Sequence, residues 1–282
     1  MAYPLTVEHD LEPTADEQRI ALTRDFHLIQ KLRGHRYSVD DMLVGHLAVT
    51  FCALRSALQG GSAAPRAATR SGEPPPRRVL DLGCGLGSVL LICAWALPRT
   101  TLVGLELHPE HVAFAGRNIR LNGCEERVRV VAGDLRDPAT IGSLGTFDLV
   151  TGSPPYFHPD SGTLCRDPAR AAAHFELNGG IEDYAAAAAR ALEPGGRFVA
   201  CAGADAERIR QALRQAGLSL TFWQLVVPRA GKPPFLTLLV ATNRADVAPV
   251  EAPPLVLRDE AGRRTAEHRQ IRAWTGVEAR EP

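Results

Sequence analysis

From residue 78 onward the chain alternates short apolar runs with longer amphipathic ones. "RVLDLG" has the length and branched content of a buried strand, and "GSVLLICAWAL" behind it reads as a helix. The pattern repeats with the strand "TTLVGLEL" and the helix "PEHVAFAGRNIRLNG", which has proline in its first turn and ends at Gly123. "RVRVVAGD" and "FDLVTG" predict two further strands. "RAAAHFELNGGIEDYAAAAARAL" predicts a helix broken near Gly179 and Gly180. "RFVACAG", "DAERIRQALRQAG", "LSLTFWQLVV" and "FLTLLVAT" then predict strand, helix, strand and strand. Strands separated by helices imply an α/β fold, a doubly wound and mostly parallel sheet covered on both faces. The last two strands have no helix between them, so they form a hairpin or an antiparallel edge.

The rest of the chain lacks this rhythm. Residues 1–28 read as a polar, loosely packed lead-in. Residues 29–59 form an N-terminal helical extension, with a helix over 35–58 capped at its start by Ser38 and Asp41 in capping-box spacing. A Gly/Pro-rich linker occupies 60–77, the α/β domain runs from 78 to 243, and a Pro- and Arg-rich extension covers 244–282, with a short helix around "RQIRAWTG". No internal repeat is visible.

Composition narrows the classes. The 282 residues carry a formal net charge of +0, which excludes a bulk polycation and leaves only local basic patches for nucleic acid. Cys52, Cys84, Cys93, Cys124, Cys165 and Cys201 are scattered, without C-x-x-C pairs or metal-ligand spacing. That usage predicts a reducing, cytoplasmic setting and no metal. No stretch has the length of a signal sequence or a membrane span, so no membrane partner is expected.

The chemistry concentrates at strand ends. Gly83, Gly85 and Gly87 lie between a strand and a helix, where glycine permits a tight turn and close backbone approach to a ligand. Asp81 precedes them, Glu106 closes the next strand, and Asp134 closes the third. An acid beside the loop repels phosphate but suits an amine or a hydroxyl, and Glu106 stands where doubly wound folds hold a ribose. Three acids around a glycine loop suit a ligand with a ribose, an adenine and a positive charge. S-adenosyl-L-methionine has all three. The nicotinamide fingerprint is absent, because the third loop glycine comes one residue early. Cys84, Leu107 and Leu135 flank these positions and complete the candidate cofactor-binding set with Ser153.

Over residues 78–242 the sequence resembles the class I S-adenosylmethionine-dependent methyltransferases, which implies a seven-stranded Rossmann-like sheet with an antiparallel last strand. The fourth strand ends in Ser153-Pro154-Pro155-Tyr156, similar to the [Asn/Asp/Ser]-Pro-Pro-aromatic motif of amino-group methyltransferases. An aromatic amine is a poor nucleophile because its lone pair is delocalised. Acceptors on its hydrogens, here Ser153 Oγ and the Pro154 carbonyl, restore that lone pair, and Pro155 fixes the turn. Tyr156 would stack on the ring.

A narrower resemblance, over roughly 29–243, is to the bacterial valine-tRNA adenine-N6 methyltransferases. It rests on "IQKLRGHRYSVDDMLVGHLA", on "GSPPYF" with "RDPARAAAHFE", and on "VVPRAGKPPFLTLLVAT". It implies a tRNA substrate modified at an adenine amino group. That family has Asn where this chain has Ser153. Serine is familiar from cytosine-N4 methyltransferases, which place the motif before the glycine loop, whereas here it follows. A protein glutamine-N5 methyltransferase, with its related Asn-Pro-Pro-Tyr motif, and a non-catalytic cofactor-binding scaffold are the alternatives. Tyr37, Ser38 and Asp40 either close over the cofactor or cap the helix. Phe157, Arg166, Arg170, Arg229 and Lys232 are candidate substrate contacts, the four cations facing phosphates or solvent. His158 is a loop histidine, His174 and Glu176 read as helix-surface residues, and Trp223 and Trp274 as packing anchors.

Overall fold

A computed structural model describes residues 9–58, 75–156, 175–245 and 248–277. Its sheet confirms the alternation read from the pattern. Strands β3 (Arg78–Leu82), β4 (Thr101–Glu106), β5 (Val128–Ala132), β6 (Phe147–Gly152) and β7 (Leu192–Gly203) are parallel, and β9 (Leu236–Thr242) runs antiparallel between β7 and β8 (Ser219–Val227). These seven strands lie in the order β8-β9-β7-β6-β3-β4-β5. Two short strands from the C-terminal extension, β10 (Val250–Glu251) and β11 (Leu255–Val256), extend the sheet beyond β8.

Two layers of helices cover the sheet. On one face lie α1 (Val39–Leu58), α2 (Ser88–Ala96) and α3 (Pro109–Leu121). On the other lie α4 (Pro138–Leu144), α5 (Ile181–Ala191) and α6 (Ala206–Gln215). Helix α2 is apolar all round and buried from Ser88 to Ala94, because the sheet takes one side and α1 the other. The contact with α1 is close: a Cβ on Gly45 would sit 2.6 Å from Ile92 Cγ2. The pattern did not reveal α4, a seven-residue helix between two loops, capped by the Asp137 carboxylate on the amides of Ala139 and Thr140.

The N-terminal region differs from the loose lead-in expected. Residues 17–31 form an antiparallel hairpin, β1 (Glu17–Ala21) and β2 (His27–Lys31), with Leu22, Leu28 and Ile29 buried. Its anchor is Asn118 of α3, which is completely buried. The Asn118 amide donates to the carbonyls of Ile29 and Leu86, both at 3.0 Å, and its oxygen accepts from the Ile29 amide at 2.7 Å. Asn122, one turn on, pairs in the same way with His27. Helix α1 begins four residues later than its predicted start, at Val39, where the Ser38 amide donates to Asp41. The C-terminal helix α7 (Ala266–Thr275) returns to this side: Trp274 packs edge-on against His46 and Trp95, and the Arg24 amide donates to the Thr275 carbonyl at 2.8 Å. No helix among the described residues is long and apolar enough to cross a membrane.

Candidate active site

The carboxyl ends of β3, β4, β5 and β6 meet at one edge of the sheet, where side chains of the connecting loops converge. After β3 the chain turns through Gly83, Gly85 and Gly87, with φ of 59°, 55° and 86°. Only glycine takes this run of left-handed angles without strain. A side chain at Gly83 would also overlap the hydroxyl of Tyr184 on α5. Glu106 braces the loop from β4. Its carboxylate accepts from the Gly85 amide at 2.9 Å and the His108 amide at 2.8 Å, with His111 Nδ1 3.7 Å away. Burial pushes this carboxyl up, but the His111 imidazole and the two amides outweigh it and hold the group below its ordinary value.

Asp81 has the opposite environment. It is 2% exposed. One oxygen accepts from Thr151 Oγ1 at 2.8 Å, and the other, Oδ2, is buried with no hydrogen-bond partner. Burial pushes its carboxyl up to about 7, against the Thr151 hydrogen bond and the nearby Leu90 amide. Asp41, on the first turn of α1, is raised well above the usual carboxylate range by burial and by the neighbouring charge of Asp40. Two buried carboxyls with raised affinity for protons make this a place where a cation binds favourably.

Two connected spaces lie between these groups. The narrower cleft, about 90 Å³, is bounded by Glu106, Leu107, Asp134, Leu135 and Pro155 among others. The broader cavity, about 750 Å³, is bounded by Gln30, Tyr37, Asp40, Asp41, Asp81 and Tyr156 among others. His35, Gly83, Gly85 and Ser153 border both. The cleft combines apolar walls with carboxylate acceptors and suits a flat ring and a diol; the cavity suits a cation. The Asp134 carboxylate is engaged by the Arg136 guanidinium, at 2.6 Å, which holds it below its ordinary value.

Ser153 stands at the junction. Its Oγ is buried beside the Cys201 thiol and has no nitrogen or oxygen partner. Pro154 and Tyr156 face the cavity and Pro155 the cleft. The Tyr156 hydroxyl bonds to Asp40 of α1 and lies 3.1 Å from Cys201 Sγ on β7. Burial, with Cys201 and Asp40 beside it, raises the phenol well above its ordinary value, so it stays neutral. The Tyr37 amide donates to Gln30 Oε1 at 2.9 Å, which ties the start of α1 to β2.

The expected positions divide into three groups. Asp81, Gly83, Cys84, Gly85, Glu106, Leu107, Asp134, Leu135, Ser153, Pro154, Pro155, Tyr156 and Tyr37 all border the two spaces, and Gly87 completes the loop turn. Arg229 and Lys232 border neither; they occupy the exposed β8–β9 turn at the same edge of the sheet. Phe157, Arg166, Arg170, His158 and His174 lie outside the described residues. Glu176 is not on a helix surface: it is bound by Arg208 at 2.8 Å and largely buried. The sequence reading did not find Tyr184, Cys201, Asn178 or the histidines 35, 108 and 111. Tyr184 was hidden in an alanine-rich helix, and the others have no local motif. Among the described residues no group of three or more His, Cys, Asp or Glu could hold a metal ion.

Comparisons with known proteins agree with this geometry. Residues 79–196, about two fifths of the chain, are similar to the family model described as a methyltransferase domain. The tRNA1(Val) (adenine(37)-N6)-methyltransferase of Yersinia pestis is 37% identical over 100 residues, 35% of this chain and 39% of that protein. The protein of the same name from Yersinia pseudotuberculosis serotype O:3 gives the same identity over 35% of this chain and 38% of its own. The chain thus spans about two fifths of the length of the curated relatives it matches. A structure of a predicted O-methyltransferase from Agrobacterium tumefaciens shares the fold, with a TM-score of 0.57 at 20% identity, over 86% of this chain and 100% of that one.

Proposed function

We propose that the protein is an S-adenosylmethionine-dependent methyltransferase acting on an exocyclic amino group, adenine N6 of a tRNA. The observation that carries this reading is the Ser153 hydroxyl, buried beside the Cys201 thiol with no nitrogen or oxygen partner, and held by two prolines where the cleft and the cavity meet. The residues present fit the cofactor. The orphaned Asp81 Oδ2 is an acceptor for its ammonium group, Glu106 for its ribose, and Leu107 and Leu135 are apolar walls for its adenine. When bound, S-adenosylmethionine supplies a methyl group activated by the sulfonium.

The chain's own residues prepare the amine. Ser153 Oγ and the Pro154 carbonyl accept its two N–H bonds and localise the nitrogen lone pair. The two prolines restrict the turn that carries both oxygens. Tyr156, tethered to Asp40, presents its ring as a stacking surface for the base. Asp134, which lines the cleft, is a further acceptor for the cofactor's adenine amino group. The identity to tRNA adenine-N6 methyltransferases over 100 residues supports the RNA substrate, and a cytoplasmic setting follows from that substrate.

Methyl-labelled S-adenosylmethionine, added with the protein to an extract of cells lacking it, tests the reading. Label released by ribonuclease and recovered as N6-methyladenosine is expected. Label released only by protease would replace the RNA substrate with a protein glutamine.

A further inference from the structure

The C-terminal extension lies outside the 79–196 match, yet it is built into the same edge of the sheet as the site. Strand β9 runs antiparallel to β7 with Leu236 opposite Gly203, so the β8–β9 turn stands at the carboxyl end of β7. A Cβ on Gly203 would be 3.6 Å from the Tyr156 carbonyl oxygen. Strand β11 is parallel to β8, with Val256 opposite Val227, so the chain leaves β11 at that edge as well. The Ala230 amide then donates to the Arg258 carbonyl at 2.8 Å, and Arg229 donates to the carbonyl of Glu260. The turn and the extension form one surface beside the Ser-Pro-Pro-Tyr loop.

That surface is basic in a chain of zero net charge. It carries Arg229, Lys232, Arg258, Arg263, Arg264 and Arg269 against Asp259, Glu260 and Glu267. Several of its guanidinium groups are held by backbone carbonyls. Elsewhere in the fold both kinds of partner occur: carboxylates neutralise Arg117 (Glu17, 2.8 Å), Arg208 (Glu182, 2.7 Å) and Arg136 (Asp134, 2.6 Å), while Arg78 and Arg127 donate to backbone carbonyls. On the extension, Arg263 has a carboxylate partner in Asp259. Arg258 instead donates to the Gly262 carbonyl at 2.7 Å, Arg269 to the Arg264 carbonyl at 2.5 Å, and Arg229 to that of Glu260. A carbonyl holds a guanidinium without cancelling its charge. In the same turn Phe235 is 38% exposed, one of few large apolar side chains left open among the described residues.

Fixed, uncancelled cations beside an exposed aromatic ring are the pattern that binds an unpaired nucleic-acid strand: charge for the phosphates and a ring for a base. We propose that the β8–β9 turn and the C-terminal extension form the track for the RNA backbone that flanks the modified base, with Phe235 stacking on a neighbouring base. This rests on the RNA reading above and assigns it a surface outside the span that matches the methyltransferase domain.

The test is anisotropy with a fluorescein-labelled, unmodified valine-tRNA transcript across a salt series, with S-adenosylhomocysteine affinity as the check on folding. The charge-reversed pair Arg229→Glu with Arg269→Glu should weaken RNA binding about tenfold or more near 100 mM salt, and reduce the slope of log affinity against log salt by about 0.7 for each phosphate no longer neutralised. Phe235→Ala should weaken binding about fivefold with the slope unchanged. Both should bind S-adenosylhomocysteine as the wild type does. Should the glutamate pair fail to fold, Arg229→Gln with Arg269→Gln removes the charge alone and carries the same expectation. Wild-type affinity and slope in a folded charge variant, while the wild-type protein binds and methylates the transcript, would overturn the track and leave the RNA reading standing. A wild-type protein that binds no RNA at low salt would remove the RNA reading and the track together.

Discussion

The hydroxyl of Tyr156, on the loop after β6, bonds to the carboxylate of Asp40, on the first turn of α1. These residues are 116 positions apart. The bond makes the N-terminal helix a wall of the site, and it fixes the ring that the proposed mechanism uses. Tyr156→Phe keeps the ring and loses the tether, so kcat should fall several-fold with cofactor affinity unchanged. Tyr156→Ala should remove turnover while S-adenosylhomocysteine still binds. Substantial turnover in the alanine variant would refute the stacking role.

Ser153 gives a sharper test of the amine. Ser153→Ala deletes a side-chain acceptor and should lower kcat by about 100-fold, in the range of a lost transition-state hydrogen bond. Ser153→Asn restores an acceptor and should retain activity if accepting is all the residue does. Kinetics of both variants on one substrate would separate these effects: an inactive asparagine variant shows a pocket shaped for serine.

The glycine loop should tolerate nothing larger. Gly83→Ala adds a Cβ at φ 59° against the Tyr184 hydroxyl, and Gly85→Val adds bulk where a Cβ already meets His35 Nε2 at 3.0 Å. Calorimetric titration with S-adenosylhomocysteine should find no binding for either. Tyr184→Phe in the Gly83→Ala background removes the overlapping oxygen and should restore part of the affinity.

Asp81 predicts a pH dependence. In the folded, ligand-free chain its carboxyl titrates near 7, while in the unfolded chain it titrates near 4, roughly the ordinary aspartate value. Between about pH 4 and 7 the folded state therefore binds the extra proton, and stability falls as pH rises through that window. Asp81→Asn should flatten this fall and raise the melting temperature at about pH 8, where the native carboxyl is ionised. Urea unfolding across that range would show it; parallel curves for the two proteins would contradict the assignment. Binding a ligand ammonium should also expel the proton, which calorimetry in two buffers of different ionisation heat reads directly.

Much of the core was legible because each unit is local. The strands from Arg78 to Gly152 are short apolar runs, α3 opens on Pro109 and stops before Gly123, and the glycines and acids sit where a βα turn must place them. The hairpin of residues 17–31 was not, because its partner is far away in sequence. Polar residues flank Leu28 and Ile29, and Asn118, which makes the site for them, looks like any polar helix residue until the chain folds back. Tyr184 and Cys201 show the same limit: each reaches the site from an element whose pattern reports only burial. Ser153-Pro154-Pro155-Tyr156 was legible because prolines at a strand end carry their meaning locally.

The stitching of the hairpin also orders events in time. Residues 17–31 leave the ribosome before any other strand or α-helix described, but their places are defined by Asn118, Asn122 and the Thr275 carbonyl. This early segment must wait for much of the later chain to be synthesised before it can dock. Its docking sets Gln30, which receives the Tyr37 amide and so sets the start of α1 with Asp40. The wall that α1 forms against Tyr156 therefore cannot be completed until Asn118 and Asn122 have emerged, although its own residues are made long before them.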